Sequence, residues 1–231
     1  MTDTPLLLLH GALGSAAQFA PLLAQLPSGK QVFAPDFPGH GKHPAEEAFS
    51  MERFSGFILE YLETHHLPSV DIFGYSMGGY AALYFAFKHP QKVRRIFTIG
   101  TKFDWNPETA ERETAMLDPD KISAKVPAFA EVLALRHAPG DWKTVLHRTA
   151  DLLRDLGAGN GLPAAAIAQI TCPVTIGLGE SDNMVTQEES RAVAGMLPDG
   201  RFEILSGCKH PIEQTDVVLL AKRLEEFFPA V

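Results

Sequence analysis

Six short apolar runs, Leu6–Leu9, Gln31–Ala34, Val70–Phe73, Arg95–Ile99, Val174–Leu178 and Phe202–Leu205, punctuate the chain at intervals too long for hairpins. They are rich in Leu, Val, Ile and Phe and lack polar alternation, as strands buried on both faces do, and such strands belong to parallel sheets. Between them, Ala16–Gln25, Met51–His65, Met77–Lys88, Glu188–Met196 and Thr215–Phe228 carry apolar residues three and four apart, which predicts an amphipathic helix after nearly every strand. Parallel strands need crossovers rather than tight turns, so the alternation predicts an α/β chain with right-handed crossovers and a doubly wound, mostly parallel sheet of about six strands.

The alternation stops between Ile99 and Val174, where helical periodicity over Ala124–Arg136 and Trp142–Leu156 is interrupted by Pro107, Pro119, Pro127 and Pro139. A long structureless connection is uncommon in a compact domain, so residues 102–168 are expected to form a helical lid inserted into a single domain, 1–231. A composition of 45% hydrophobic and 21% charged residues supports one large core and argues against disorder. The net charge is −8 and no block of Lys or Arg stands out, which excludes a groove tracking nucleic-acid phosphates. No stretch approaches the roughly 18 apolar residues of a membrane span. Met1–Pro5 lacks the basic and apolar segments of an export leader, and two isolated cysteines, Cys172 and Cys208, are expected to be thiols. The expected location is cytoplasmic, as a monomer or homodimer.

Gly74-Tyr75-Ser76-Met77-Gly78-Gly79 joins the end of one strand to the start of a helix. That context suits a nucleophile elbow, in which small neighbours let a serine stand on a tight turn above the sheet. A serine hydroxyl is a weak nucleophile; it needs a base in hydrogen-bond reach and a third group to fix the base's tautomer. Asp182 follows the strand Val174–Leu178 and His210 follows Phe202–Leu205, so both fall at the carboxyl edge of the sheet, in the order Ser, Asp, His. Glu180 is the rival carboxylate. His65, His66, His89, His137 and His147 lie on expected helices or their ends and suit structural or surface roles. No metal-ligand spacing is present, and neither a metal nor a cofactor is expected. Oxyanion donors are expected from the Met77 N–H and from the loop His10-Gly11-Ala12-Leu13-Gly14, with Ala12 preferred over Leu13; His10 itself is expected to brace the loop.

Leu6–Gly41, with His10-Gly11-Ala12-Leu13-Gly14 and Asp36-Phe37-Pro38-Gly39-His40-Gly41, together with the elbow, Asp182 and His210, resembles the α/β-hydrolase superfamily over nearly the whole chain outside the insertion. The resemblance implies an acyl-enzyme mechanism and leaves the substrate open. It has departures. The chain begins almost at the strand that usually comes third, so the first, antiparallel strands of that fold are expected to be missing. Ser76 in place of an aspartate speaks against the dehalogenase and epoxide-hydrolase branches, and Tyr80 stands where the pyruvate-eliminating branch of menaquinone synthesis carries arginine.

The expected reaction is cleavage of a small carboxylic ester or thioester. The same triad also serves carbon–carbon hydrolases, perhydrolases and lyases, and the same body can act as a non-catalytic binder. Leu13, Tyr75, Phe103, Trp105 and Trp142 are the expected substrate contacts. Phe129, Leu133, Leu135, Val145 and Leu146 suit either an acyl pocket or packing of the insertion on the body. Lys102, Arg136, His137, His147 and Arg148 could receive an anionic group or simply be solvated.

Overall fold

The computed structural model describes residues 4–44 and 47–228. The first strand, β1 (Leu6–Leu9), has all four leucines fully buried. Alternate side chains serve opposite layers: Leu6 and Leu8 pack with Phe19, Leu22, Leu220 and Leu224, and Leu7 and Leu9 with Phe54, Ile58 and Leu83. Full burial of a leucine side chain contributes about 2 kcal/mol, so this run holds both helical layers to the sheet.

The remaining strands are β2 (Val32–Phe33), β3 (Val70–Tyr75), β4 (Val93–Ile99), β5 (Val174–Gly179) and β6 (Gly200–Leu205), in the spatial order β2-β1-β3-β4-β5-β6 with every pair parallel. The expected α/β, doubly wound parallel sheet of six strands is present, without antiparallel strands among the described residues. The chain runs from β1 outward to β2 and returns to β3 on β1's other side. The loops after β1 and β3 therefore diverge at the carboxyl edge and leave a crevice between them, the place where open α/β sheets receive ligands.

Helices α1 (Ala20–Leu23), α2 (Met51–Thr64) and α3 (Met77–Lys88) follow the early strands. Between β4 and β5 come α4 (Pro107–Thr114), α5 (Pro119–Lys125), α6 (Pro127–His137), α7 (Trp142–Asp155) and α8 (Ala164–Ile167); α9 (Gln187–Met196) and α10 (Val217–Phe227) complete the chain. Prolines account for the differences from the sequence periods. The span Ala16–Gln25 is a 3-10 turn, Ala16–Phe19, followed by the short α1, because Pro21 has no N–H to continue a helix. Ala124–Arg136 is cut at Val126 (φ −138°, ψ 59°), since the residue before Pro127 is driven out of the helical region. Only Val32 and Phe33 pair in the second strand, an edge strand that Pro35 cuts short.

Helix α3 lies so close to β1 that a Cβ on Gly78 would sit 2.1 Å from the Leu9 carbonyl oxygen. Gly56, on the exposed side of α2, has nothing within 4 Å of such a Cβ. Gly78→Ala is expected to destabilise by about 2 kcal/mol and lower Tm by roughly 4–8 °C. Gly56→Ala should raise stability by about 1 kcal/mol through helix propensity. Thermal melts of the two variants check the opposite signs.

Candidate active site

Ser76 connects β3 directly to α3 with φ 52° and ψ −117°, a left-handed backbone that a serine resists. The surrounding contacts impose it. The Ser76 N–H donates to the Ile99 carbonyl at the end of β4 (2.9 Å), and the Thr101 hydroxyl donates to the Ser76 carbonyl (3.0 Å). Tyr75 is buried beneath the turn, and the side chain of Ser76 is left partly exposed at the crevice.

His210 Nδ1 donates to Asp182 Oδ2 at 2.8 Å, which leaves Nε2 to face Ser76 Oγ at 3.4 Å. The carboxylate is anchored in turn: Asp182 Oδ1 accepts from the N–H groups of Met184 (2.8 Å) and Val185 (3.0 Å). Its side chain is 1% exposed and that of His210 10%. Burial pushes the Asp182 carboxyl upward, but the His210 bond and the two amides outweigh it, so the group is held below its ordinary value and ionised. The rival, Glu180, turns away and accepts from Gly207 N–H at 2.9 Å. A fixed carboxylate, an oriented imidazole and a hydroxyl in line form a proton-relay geometry suited to activating the hydroxyl.

The loop after β1 comes to Ser76 from the other side of the crevice. It turns tightly, Gly14 N–H donating to Gly11 carbonyl at 3.1 Å, with Leu13 at φ 56°. Gly11 permits the approach, since a Cβ there would lie 2.8 Å from the Tyr75 ring and 3.2 Å from Ser76 Cβ. Ala12 and Met77 line the same cavity as Ser76 and His210. The Met77 N–H, in the first turn of α3, has no partner within its helix.

His10 is buried below this loop, where Nε2 accepts from Phe37 N–H (3.0 Å) and Nδ1 donates to the Gly11 carbonyl (2.8 Å). An amide can only donate, so the ring is the neutral Nδ1–H tautomer. Burial lowers its pKa to about 4, against the opposing pull of the Gly11 carbonyl and Asp36. His40 and His137, with rings 5.1 Å from His10 and 5.8 Å from His40 respectively, are lowered by burial as well.

The cavity at Ser76 has a volume of about 100 Å³. Trp105, Tyr80, Leu153, Leu156 and Met51 give it apolar walls, with Lys102 and Glu113 as charged members. Lys102 is committed to the protein: its ammonium donates to the Met184 carbonyl at 2.9 Å and stands 3.8 Å from Glu189 and 3.9 Å from Glu113.

Of the expected substrate contacts, Trp105 lines this cavity and four do not. Leu13 presents its carbonyl to Arg136 and His137, Tyr75 packs beside the His210 ring (5.8 Å), and Trp142 starts α7 and is not among the cavity's lining residues. Phe103 faces a separate apolar cavity of about 190 Å³ behind Tyr80. Sequence reasoning missed Tyr80, Leu153, Leu156, Met184 and Val185 as wall residues. Tyr80 carried a signal, being one helical turn beyond Ser76 on the helix that starts there. A wider hollow of about 400 Å³, lined by Lys42, His43, Pro139 and Asp141, contains none of Ser76, Asp182 or His210. Among the described residues no three His, Cys, Asp or Glu side chains converge as a metal site, and no helix is long and apolar enough to cross a membrane.

Residues 4–149 match the protein family described as alpha/beta hydrolase fold. A pimeloyl-acyl-carrier-protein methyl ester esterase of Aromatoleum aromaticum is 30% identical over 91% of this chain and 92% of its own length. A protein of the same name from Neisseria meningitidis serogroup C is 37% identical over 89 residues, 38% of this chain, and the match spans about a third (33%) of that protein. Among solved structures, the enol-lactonase of Burkholderia xenovorans superposes with a TM-score of 0.78 at 17% identity, covering 98% of this chain and 92% of that one, a likeness of fold.

Acid should expose the buried neutral His10. Its folded pKa, about 4, lies below the ordinary 6.5, so the unfolded chain takes the proton first as pH falls. The group's contribution is complete above pH 6.5 and falls by about 3 kcal/mol as pH drops to 4, and His40 and His137 act in the same direction. Denaturant melts between pH 7 and 4 are expected to show this decline, with a shallower slope in His10→Gln.

Proposed function

Because the chain belongs to the alpha/beta hydrolase fold family, we propose that it is a serine hydrolase that cleaves a small carboxylic ester or thioester through an acyl-enzyme. The observation that carries the reading is the Asp182–His210–Ser76 chain of contacts, 2.8 Å and 3.4 Å, at the mouth of an apolar cavity. His210 takes the Ser76 proton as Oγ attacks the carbonyl carbon. Asp182 holds the imidazole in the required tautomer and stabilises the imidazolium that forms. Negative charge developing on the carbonyl oxygen is met by the N–H groups of Met77 and Ala12. His210 then protonates the departing alcohol or thiol, and a water activated by the same ring releases the acid.

The cavity favours a short acyl group. Its volume is about 100 Å³, and Trp105, Leu153 and Leu156 are among its walls. The names of the Aromatoleum and Neisseria relatives specify a methyl ester on a long acyl chain; of that substrate only the small leaving group, and not the acyl chain, matches a cavity of this size. Carbon–carbon cleavage, perhydrolysis, lyase chemistry and pure ligand binding are outcomes of the test. The rest of the proposal is a small-molecule acyl substrate, a cytoplasmic location and a monomer or homodimer, without nucleic acid, membrane insertion or cofactor.

The test combines a fluorophosphonate probe, p-nitrophenyl esters of graded acyl length, methyl esters of longer acids and a diketone substrate. Serine labelling and turnover greatest on the shortest acyl chains are expected. Both should be lost in Ser76→Ala, and kcat should fall by about 10³-fold or more in Asp182→Asn. Diketone cleavage in the absence of ester turnover would move the protein to the carbon–carbon hydrolases, and neither labelling nor turnover would leave a binding protein.

A further inference from the structure

Helix α6 is inverted at its carboxyl-terminal end. Leu135 is 80% exposed, whereas the side chain of the next residue, Arg136, is 15% exposed and that of His137 is buried. An amphipathic helix packed for its apolar contacts would do the reverse. The turned-in residues have one shared target: the Leu13 carbonyl accepts from Arg136 Nη1 at 2.9 Å and from His137 Nε2 at 3.1 Å.

Each donor also reaches a second loop. Arg136 Nη2 donates to Glu213 Oε1 (3.0 Å), three residues beyond His210. Gly41 N–H donates to His137 Nδ1 (3.0 Å), which requires the proton of that neutral ring to be on Nε2, the nitrogen facing Leu13. The accepting residue is strained. Leu13 is third in the Gly11–Gly14 turn with φ 56°, a position that ordinarily calls for glycine or asparagine. A leucine held there persists only where its surroundings over-determine the conformation, and two donors on one carbonyl do so.

We propose that Arg136 and His137 are positioning residues for the oxyanion loop. By holding the Leu13 carbonyl they fix the turn that presents the Ala12 N–H, and through Glu213 Arg136 ties that loop to the segment carrying His210. Neither side chain lines the Ser76 cavity, so their effect on the reaction passes through the loop. The proposal rests on the serine-hydrolase reading above. Displacement of a donor weakens the stabilisation of a charge that exists only in the transition state, so the loss belongs in kcat rather than in KM.

The experiment measures kcat and KM with p-nitrophenyl acetate, the rate of fluorophosphonate labelling, and Tm. The variants are Arg136→Ala, Arg136→Lys and His137→Gln, with Arg154→Ala, an exposed arginine paired with Asp151 on α7, as the control. Arg136→Ala is expected to lower kcat and the labelling rate together by about 10- to 100-fold, with KM within about twofold and the folded fraction unchanged at the assay temperature. Lysine can restore one contact but not the two-pronged one, so Arg136→Lys should recover part of the loss; Arg154→Ala should match the wild type.

A folded Arg136→Ala with wild-type kcat would overturn the proposal, as would a loss confined to KM. If Arg136→Ala does not fold, Arg136→Lys and His137→Gln decide it: full kcat in both, when folded, refutes the positioning role. A wild-type protein with no Ser76-dependent labelling or turnover is a different failure, because it removes the hydrolase reading and this proposal with it.

Discussion

Ser76 stands clear of the sheet only while its backbone is kept at φ 52°, and nearly every other feature of the carboxyl edge serves that requirement. The strand before it and the helix after it leave one residue for the reversal. The Ile99 carbonyl at the end of β4 and the Thr101 hydroxyl just beyond it hold that residue, and Gly78 lets α3 settle against the Leu9 carbonyl. Strain of this kind costs about 1–3 kcal/mol, and the two-sided burial of Leu6–Leu9 supplies a core large enough to bear it. The hydroxyl is thus presented by the sheet itself and not by a mobile loop.

A second strained residue, Leu13, sits in the loop after β1 that approaches Ser76 through Gly11 and Ala12. The means of restraint differ. Ser76 is held by one backbone bond to the end of an adjacent strand and by the Thr101 hydroxyl just beyond it, whereas Leu13 is held by side chains from the distant helix α6. The helical segment between β4 and β5 therefore has two faces. Glu113 of α4, Leu153 of α7 and Leu156 just beyond α7 form walls of the cavity, and the end of α6 grips the loop beside it. Lys102 adds a polar tie at the base of the segment, joining the chain after β4 to the Asp182 loop through the Met184 carbonyl.

Much of this was legible in the residues alone. The strand positions follow from apolar runs whose meaning is local, and α3 has the boundaries that its periodicity implied, Met77–Lys88. Ser76, Asp182 and His210 could be nominated because each directly follows a strand, and ends of parallel strands share one edge. The wall of the cavity was not legible in this way. Phe103 and Trp142 were expected there because they are large and aromatic, but size says nothing of direction, and Phe103 faces the neighbouring cavity behind Tyr80. Arg136 suits either an anion site or a solvated face on sequence grounds, because its charge has no sequence-local partner, and the structural role open to His137 names no partner until α6 is docked.

What the sequence determined by itself is whatever depends on a few consecutive residues: the period of burial, the proline breaks at Pro21 and Pro127, and the small residues that permit the turn at Ser76. Those preferences act through backbone sterics and the repeat of helix and strand, which do not need the rest of the chain. Tertiary structure alone decided which side chains meet across the crevice. The contact between Arg136 and Leu13 joins residues 123 apart in sequence, and that between His210 and Ser76 joins residues 134 apart. Such meetings depend on how helices dock on a finished sheet, because a rotation of α6 by one residue would exchange Arg136 for Leu135 on its inner face.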